Sequence, residues 1–290
     1  MISEGYLRRH VSQYRGTGDA MAIGLLDVAQ TYLLEAVRVN GFFDNGLVFK
    51  GGTALRKFYL GTSGRFSTDM DFAVAPSSSL VEDLLLWLSE NVEFHDVIFR
   101  LELEGNTRGN LKISTSIGDS TVPSIVEIST RKMWLPVSFQ DPVEFAFHSK
   151  LEFTPAPCPI ADLHEMLGEK LAAIWRRQQA RDVYDLVAMG GRPLDEDLLR
   201  RITYLKVYAD VEEGISRGPF DGGELLDRKL GEVSGWGDIG LLSSPPDEKA
   251  LTAALRSRYR FLRYPDNIEA VLARTSLSDK SLAQECINQL

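Results

Sequence analysis

Between Lys50 and Phe72 the chain reads Lys50-Gly51-Gly52-Thr53-Ala54-Leu55, and then, past a short loop, Thr68-Asp69-Met70-Asp71-Phe72. In a strand the side chains at i and i+2 point to the same side, so Asp69 and Asp71 present two carboxylates together. Two oxygen donors on one edge suit Mg²⁺, which also recruits substrate phosphates. A glycine bend lets backbone N–H groups approach an anion at the start of a helix. Lys50 can bind a phosphate as a point charge. Thr53 adds a hydroxyl and a backbone N–H at the helix start. A phosphate cradle of Lys50, Gly51, Gly52 and Thr53 beside a metal dyad implies chemistry on a nucleoside triphosphate.

Such chemistry usually needs a third carboxylate. Glu127 in Ile125-Val126-Glu127-Ile128 is the candidate, since it alternates with apolar residues that would face the core. Its bland reading is a solvent-facing strand glutamate. The spacing Gly-x₄-Gly-Lys-Ser/Thr of a P-loop is absent, and no Gly-x-Gly-x-x-Gly opens a helix.

A second cluster runs Glu169-Lys170-Leu171-Ala172-Ala173 to Arg176-Arg177 and on to Arg181-Asp182-Val183-Tyr184-Asp185. On an unbroken helix, at ~100° per residue, Lys170, Arg177 and Arg181 share one stripe. That stripe could reach a triphosphate or a nucleic-acid backbone. Asp182 would fall off the stripe, so either the helix breaks near Gln178–Ala180 or Asp182 is a buried, paired acid. The plain alternative for Arg181 is an i,i+4 pair with Asp185, worth about 0.3 kcal/mol.

These residues need a frame. A helix is expected over Asp19–Val39, a strand at Leu47–Phe49, a helix at Thr53–Tyr59 and a strand over Asp69–Ala75. An amphipathic helix follows at Leu80–Asn91, then strands near Val97–Leu103, Asn110–Ser116 and Ser124–Ser129. Beyond Asp141 helical periodicity dominates: Leu163–Ala188, Asp195–Glu213, Asp247–Tyr264 and Asn267–Leu290. The proline-rich Thr154–Pro159 reads as a linker, and the stretch up to Gly18 reads as polar and peripheral. The expectation is an α+β chain with a mixed-sheet domain over 1–155 and a helical domain over 156–290.

The 290 residues are 44% hydrophobic and 25% charged, ordinary for a globular protein. Against 41 acidic residues stand 32 basic ones, a net charge of −9, which argues against broad nucleic-acid coating. Two cysteines do not make a disulfide scaffold or a structural zinc site. With no signal-like start and no long apolar run evident, the expectation is a cytoplasmic protein without a membrane partner.

The combined motifs resemble the AbiEii/AbiGii family, the nucleotidyltransferase toxins of type IV toxin–antitoxin systems. They are Phe49 to Leu55, Arg65 to Phe72, Glu169 to Ala173 and Arg181 to Leu186, in that order. The resemblance implies a fold like DNA polymerase β, with a nucleotidyltransferase domain followed by a helical one. It implies Mg²⁺ or Mn²⁺ on Asp69 and Asp71, and the triphosphate near Lys50, Gly51, Gly52 and Thr53. It makes Lys170 a phosphate-binding lysine and Asp182 the acid of the last motif. It also implies transfer of a nucleotide to the 3′ end of tRNA, arrest of translation, and a cognate antitoxin that need not touch the toxin. Thr53 stands where many members have Ser and keeps the hydroxyl. Other readings are transfer to a protein or small molecule, nucleotide binding without transfer, and a sugar transferase using the same acid pair.

Overall fold

The computed structural model describes residues 2–12, 14, 19–242 and 244–290. Two compact units share the chain. The first takes 1–133, 137–161 and 240–245, and the second takes 134–136, 162–239 and 246–290.

The first unit begins with α1 (Glu4–Val11), which buries Tyr6, Leu7 and Val11. The N-terminal stretch is therefore not peripheral as expected. Its polar residues lie on one helix face, and Val11 and Tyr14 join a core cluster with Ile23, Phe66 and Leu241. The end of that stretch, residues 15–18, lies outside the described residues. Asp19 caps α2 (Ala20–Val39) by accepting from the Met21 and Ala22 N–H groups. On length and composition α2 could cross a membrane, contrary to the expected lack of such a run. Here it is buried on all sides and carries the buried polar residues Asp27, Gln30, Thr31 and Glu35, as a core helix would.

Then come β1 (Val48–Lys50), α3 (Gly51–Leu55) with a π turn over Arg56–Leu60, β2 (Met70–Ala73) and α4 (Leu80–Ser89). Strands β3 (Val92–Phe94), β4 (Val97–Leu103), β5 (Arg108–Thr115), β6 (Gly118–Asp119), β7 (Ile125–Ser129), β8 (Ser138–Gln140) and β9 (Cys158–Ile160) complete the unit. Among the described residues one mixed sheet results, ordered β3-β4-β5-β7-β2-β1-β9-β8 with β6 on β5. The alternation of β4 and β5 buries Val97, Phe99, Leu101, Leu111 and Ile113, so their other face is left to solvent. The expected linker at Thr154–Pro159 leads instead into β9, which pairs in parallel with β1 at Phe49 and Ile160. Its prolines disguise a strand only three residues long.

The second unit holds α5 (Leu163–Arg177), α6 (Ala180–Met189), α7 (Glu196–Glu212), α8 (Gly222–Asp227), α9 (Glu248–Arg258), α10 (Asn267–Arg274) and α11 (Lys280–Ile287). Asp162, Asp195, Asp221, Asp247, Asp266 and Asp279 each cap one of these helices through the side chain. Each such cap contributes about 1 kcal/mol. Part of the acidic excess therefore serves helix starts. The single helix expected over 163–188 is two: Gln178 adopts φ +44° and ends α5. The last expected helix also divides, with Ser276 and Leu277 at positive φ between α10 and α11.

Candidate active site

The acid pair sits at the head of β2, in the middle of the sheet. Met70 and Phe72 are buried while Asp71 is half-exposed, so the alternation turns Asp71 to the opposite, accessible side, and Asp69 just ahead of it is half-exposed as well. Asp69 itself precedes the strand, one residue short of its expected place.

Register fixes the neighbours of Asp71. Lys50 on β1 is its antiparallel partner and Glu127 on β7 its parallel partner, while Arg108 on β5 faces Glu127. Directly paired residues share a sheet face. Four adjacent strands thus carry a row reading Lys50, Asp71, Glu127, Arg108, with two acids flanked by two bases.

The glycine bend comes next to this row. Gly51 has φ +82°, and a β-carbon there would lie 2.8 Å from the Asp71 carboxyl carbon and closer still to Oδ2. Only a residue without a side chain lets the backbone pass so near the carboxylate. Thr53 is fully buried, and its hydroxyl donates to the Asp69 carbonyl at 2.5 Å. Its side chain is thereby engaged with the acid-bearing segment, whereas the sequence suggested a phosphate contact. The pair of carboxylates, left uncovered by Gly51, suits a divalent ion that completes its shell with water and phosphate oxygens. Glu127, the candidate third ligand, is exposed and lies beside Asp71 in register, though no group of three or more His, Cys, Asp or Glu side chains converges among the described residues.

The first unit also holds a buried charged cluster that sequence reading missed. Arg56 on the π turn grips both Asp27 carboxylate oxygens, at 2.9 and 3.0 Å, and donates to the carbonyls of Gly61 and Gly64. Lys57 donates to the same Asp27 and to Thr31, and His10 meets Asp27 at 2.8 Å. The Arg56 guanidinium lies 3.8 Å over the Phe66 ring. The loop from Gly61 to Phe66 is thus held at three points by Arg56. Burial pushes the Asp27 carboxyl up, but Arg56, Lys57 and the His10 hydrogen bond hold it well below the usual carboxylate range. Burial likewise brings the Lys57 ammonium down to about 8 against the pull of Asp27. The detectable signal was three ionisable residues inside apolar runs: Asp27 between Leu26 and Val28, and Arg56-Lys57 between Leu55 and Phe58. A small pocket lined by Lys57, His148 and Cys158 includes none of the dyad or cradle residues.

In the second unit, the break at Gln178 removes the stripe expected of Lys170, Arg177 and Arg181. The Lys170 ammonium instead reaches Asp185 at 2.6 Å and Asp182 at 3.5 Å. Arg177 forks onto Asp182 with contacts of 2.9 to 3.2 Å. Asp182 is therefore buried and paired, and Asp185 meets Lys170. Arg181 lies in the first turn of α6. Glu169 binds Lys206, which also meets Glu165 at 2.5 Å. Glu165 in turn accepts from the N–H groups of Trp134 and Leu135.

A central mixed sheet bearing an acid pair beside a glycine bend, followed by helices, is the polymerase-β-like nucleotidyltransferase architecture. The chain belongs to the AbiEii family of nucleotidyltransferase toxins of type IV toxin–antitoxin systems, whose profile matches residues 32–274. Its structure is similar to that of MenT4, a nucleotidyltransferase toxin of Mycobacterium tuberculosis H37Rv. The TM-score is 0.91 and the identity 29%, over 100% of this chain and 99% of that one. JHP933 from Helicobacter pylori aligns with a TM-score of 0.45 and 19% identity, over 87% of this chain and 98% of that one. No curated protein matches this chain. As a toxin of this class it uses a nucleoside triphosphate and has an antitoxin partner.

Proposed function

We propose that this toxin transfers a nucleoside monophosphate to the 3′ end of tRNA in the cytoplasm, and so blocks translation and growth. The observation that carries the reading is the approach of Gly51 to Asp71, which joins a backbone suited to phosphate with an acid suited to a cation. Family membership and the full-length similarity to MenT4 support it.

Asp69 and Asp71 would hold a divalent cation, Mg²⁺ or Mn²⁺. Bound there, the ion supplies charge neutralisation at the α-phosphate and lowers the pKa of the attacking hydroxyl. The acceptor hydroxyl gives up its proton and forms a bond to the α-phosphorus as pyrophosphate leaves. The Gly51–Gly52 backbone lies against the triphosphate, and Lys50, in register with Asp71, offsets charge growing on the leaving group. Arg181 adds a cation for the nucleotide. Lys170 and Asp182 act as a unit, the lysine presenting a charge whose place is set by Asp182 and Asp185.

The test is incubation of the purified toxin with tRNA and each labelled nucleoside triphosphate, with and without Mg²⁺. Label at the tRNA 3′ end that disappears in the Asp69→Asn variant is the expected result. Label on protein, on a small molecule or nowhere overturns the tRNA assignment.

A further inference from the structure

Residues 67 to 69 lie outside any strand, yet each of their three consecutive carbonyls is taken by a side chain from elsewhere. Gln30 Nε2 on α2 donates to the Ser67 carbonyl at 2.9 Å. Ser124 Oγ, one residue before β7, donates to the Thr68 carbonyl at 2.5 Å. Thr53 Oγ1, on α3, donates to the Asp69 carbonyl at 2.5 Å. All three donors are at most 1% exposed.

The sheet explains why they are needed. β2 lies between β1 and β7, and its ladder to β1 ends where Lys50 pairs with Asp71, because the chain turns off at Gly51. The ladder to β7 ends where Met70 pairs with Val126. Upstream of Met70 the backbone would lose its partners on both sides. Thr53 follows β1 and Ser124 precedes β7, so their hydroxyls continue the hydrogen bonding from those two sides. Buried carbonyls need such partners.

We infer that Thr53, Ser124 and Gln30 are positioning residues that set the Asp69 carboxylate beside Asp71, with the Thr53 hydroxyl committed to this clamp and not to a phosphate. The inference rests on the nucleotidyltransferase reading of Asp69. Outer partners that orient a metal ligand typically change affinity by about 10–100-fold.

The experiment measures Mn²⁺ binding to the full-length, nucleotide-free chain by the electron paramagnetic resonance of free Mn²⁺, alongside thermal melting. Asp69→Asn should abolish binding. Thr53→Ala and Ser124→Ala should each weaken it about 10-fold, and Thr53→Ser should restore it. Gln30→Met, which keeps volume and loses only the donor, should weaken it too and serves where an alanine variant does not fold. Folded variants at Thr53, Ser124 and Gln30 that bind Mn²⁺ like the wild type overturn the clamp. So does a Thr53→Ala variant that binds Mn²⁺ normally and only raises the KM for the triphosphate. Unchanged binding in Asp69→Asn overturns the metal reading itself, which is a separate result.

Discussion

Gly51 and Asp71 occupy one space between them: a methyl group on the glycine would overlap the carboxylate of the acid. Gly51→Ala therefore carries two penalties, the collision and about 1–2 kcal/mol for a left-handed backbone. Transfer activity should fall by about 100-fold or more, as for a displaced reacting group. A modest drop in Tm should accompany it. Retained activity in a folded Gly51→Ala protein would contradict the shared site.

Asp69→Asn and Asp71→Asn should remove transfer more completely than loss of an outer partner, by at least about 100-fold. Their Tm should change little, because both acids are partly exposed and charge pairs at such positions are worth about 1 kcal/mol or less. A kinetic assay beside calorimetry checks both.

How this region could be read from sequence has a physical reason. The glycine turn and the acid pair declare themselves because few other residues tolerate those positions, and alternation in Met70-Asp71-Phe72 sets the facing of Asp71 without any tertiary knowledge. The strands at Val97–Leu103 and near Ile125–Ser129 were likewise legible from period-two patterns bounded by turns. β9 was not, since its partner β1 lies more than a hundred residues away and its own prolines suggest a loop. The break after Arg177 was visible only as a conflict, because Asp182 would not fit the stripe. The bond from Thr53 to the Asp69 carbonyl could not be read at all: a hydroxyl after paired glycines looks the same whatever it meets.

Asp27→Asn should cost about 3–5 kcal/mol, since it leaves Arg56 and Lys57 buried without their counter-ion. Because the folded Asp27 carboxyl titrates well below its ordinary 3.8, the unfolded chain takes up the proton first as acid is added. Its contribution is present in full above that ordinary value and is lost as pH falls toward the folded one. Urea unfolding of the wild type should show this acid limb, and the variant should lack it.

His148 gives a second window. Burial, with Lys57 near, brings its imidazole from 6.5 down to about 4. Between those values the unfolded chain binds a proton that the folded chain refuses, so stability should decline as pH drops from about 6.5 toward 4. His148→Gln should flatten that slope in urea midpoints measured across the range.

Lys170→Met should destabilise the second unit by about 3–5 kcal/mol, because Asp182 and Asp185 then lose a buried counter-charge. The double variant Lys170→Met with Asp185→Asn should recover part of that loss. Chemical denaturation reads it directly. Full stability in the single variant would show that the two acids do not need the lysine.

The order in which the chain visits its two units has a practical result. Residues 134–136 leave the sheet-bearing part early to meet Glu165, and residues 240–245 return to it late, where Leu241 accepts from the Phe66 N–H just ahead of Asp69. A gene cut after residue 161 would thus yield an N-terminal fragment missing a piece of its own interior. The sheet-bearing unit cannot be finished on the ribosome until more than 240 residues have been made, so it stays incomplete for most of its synthesis.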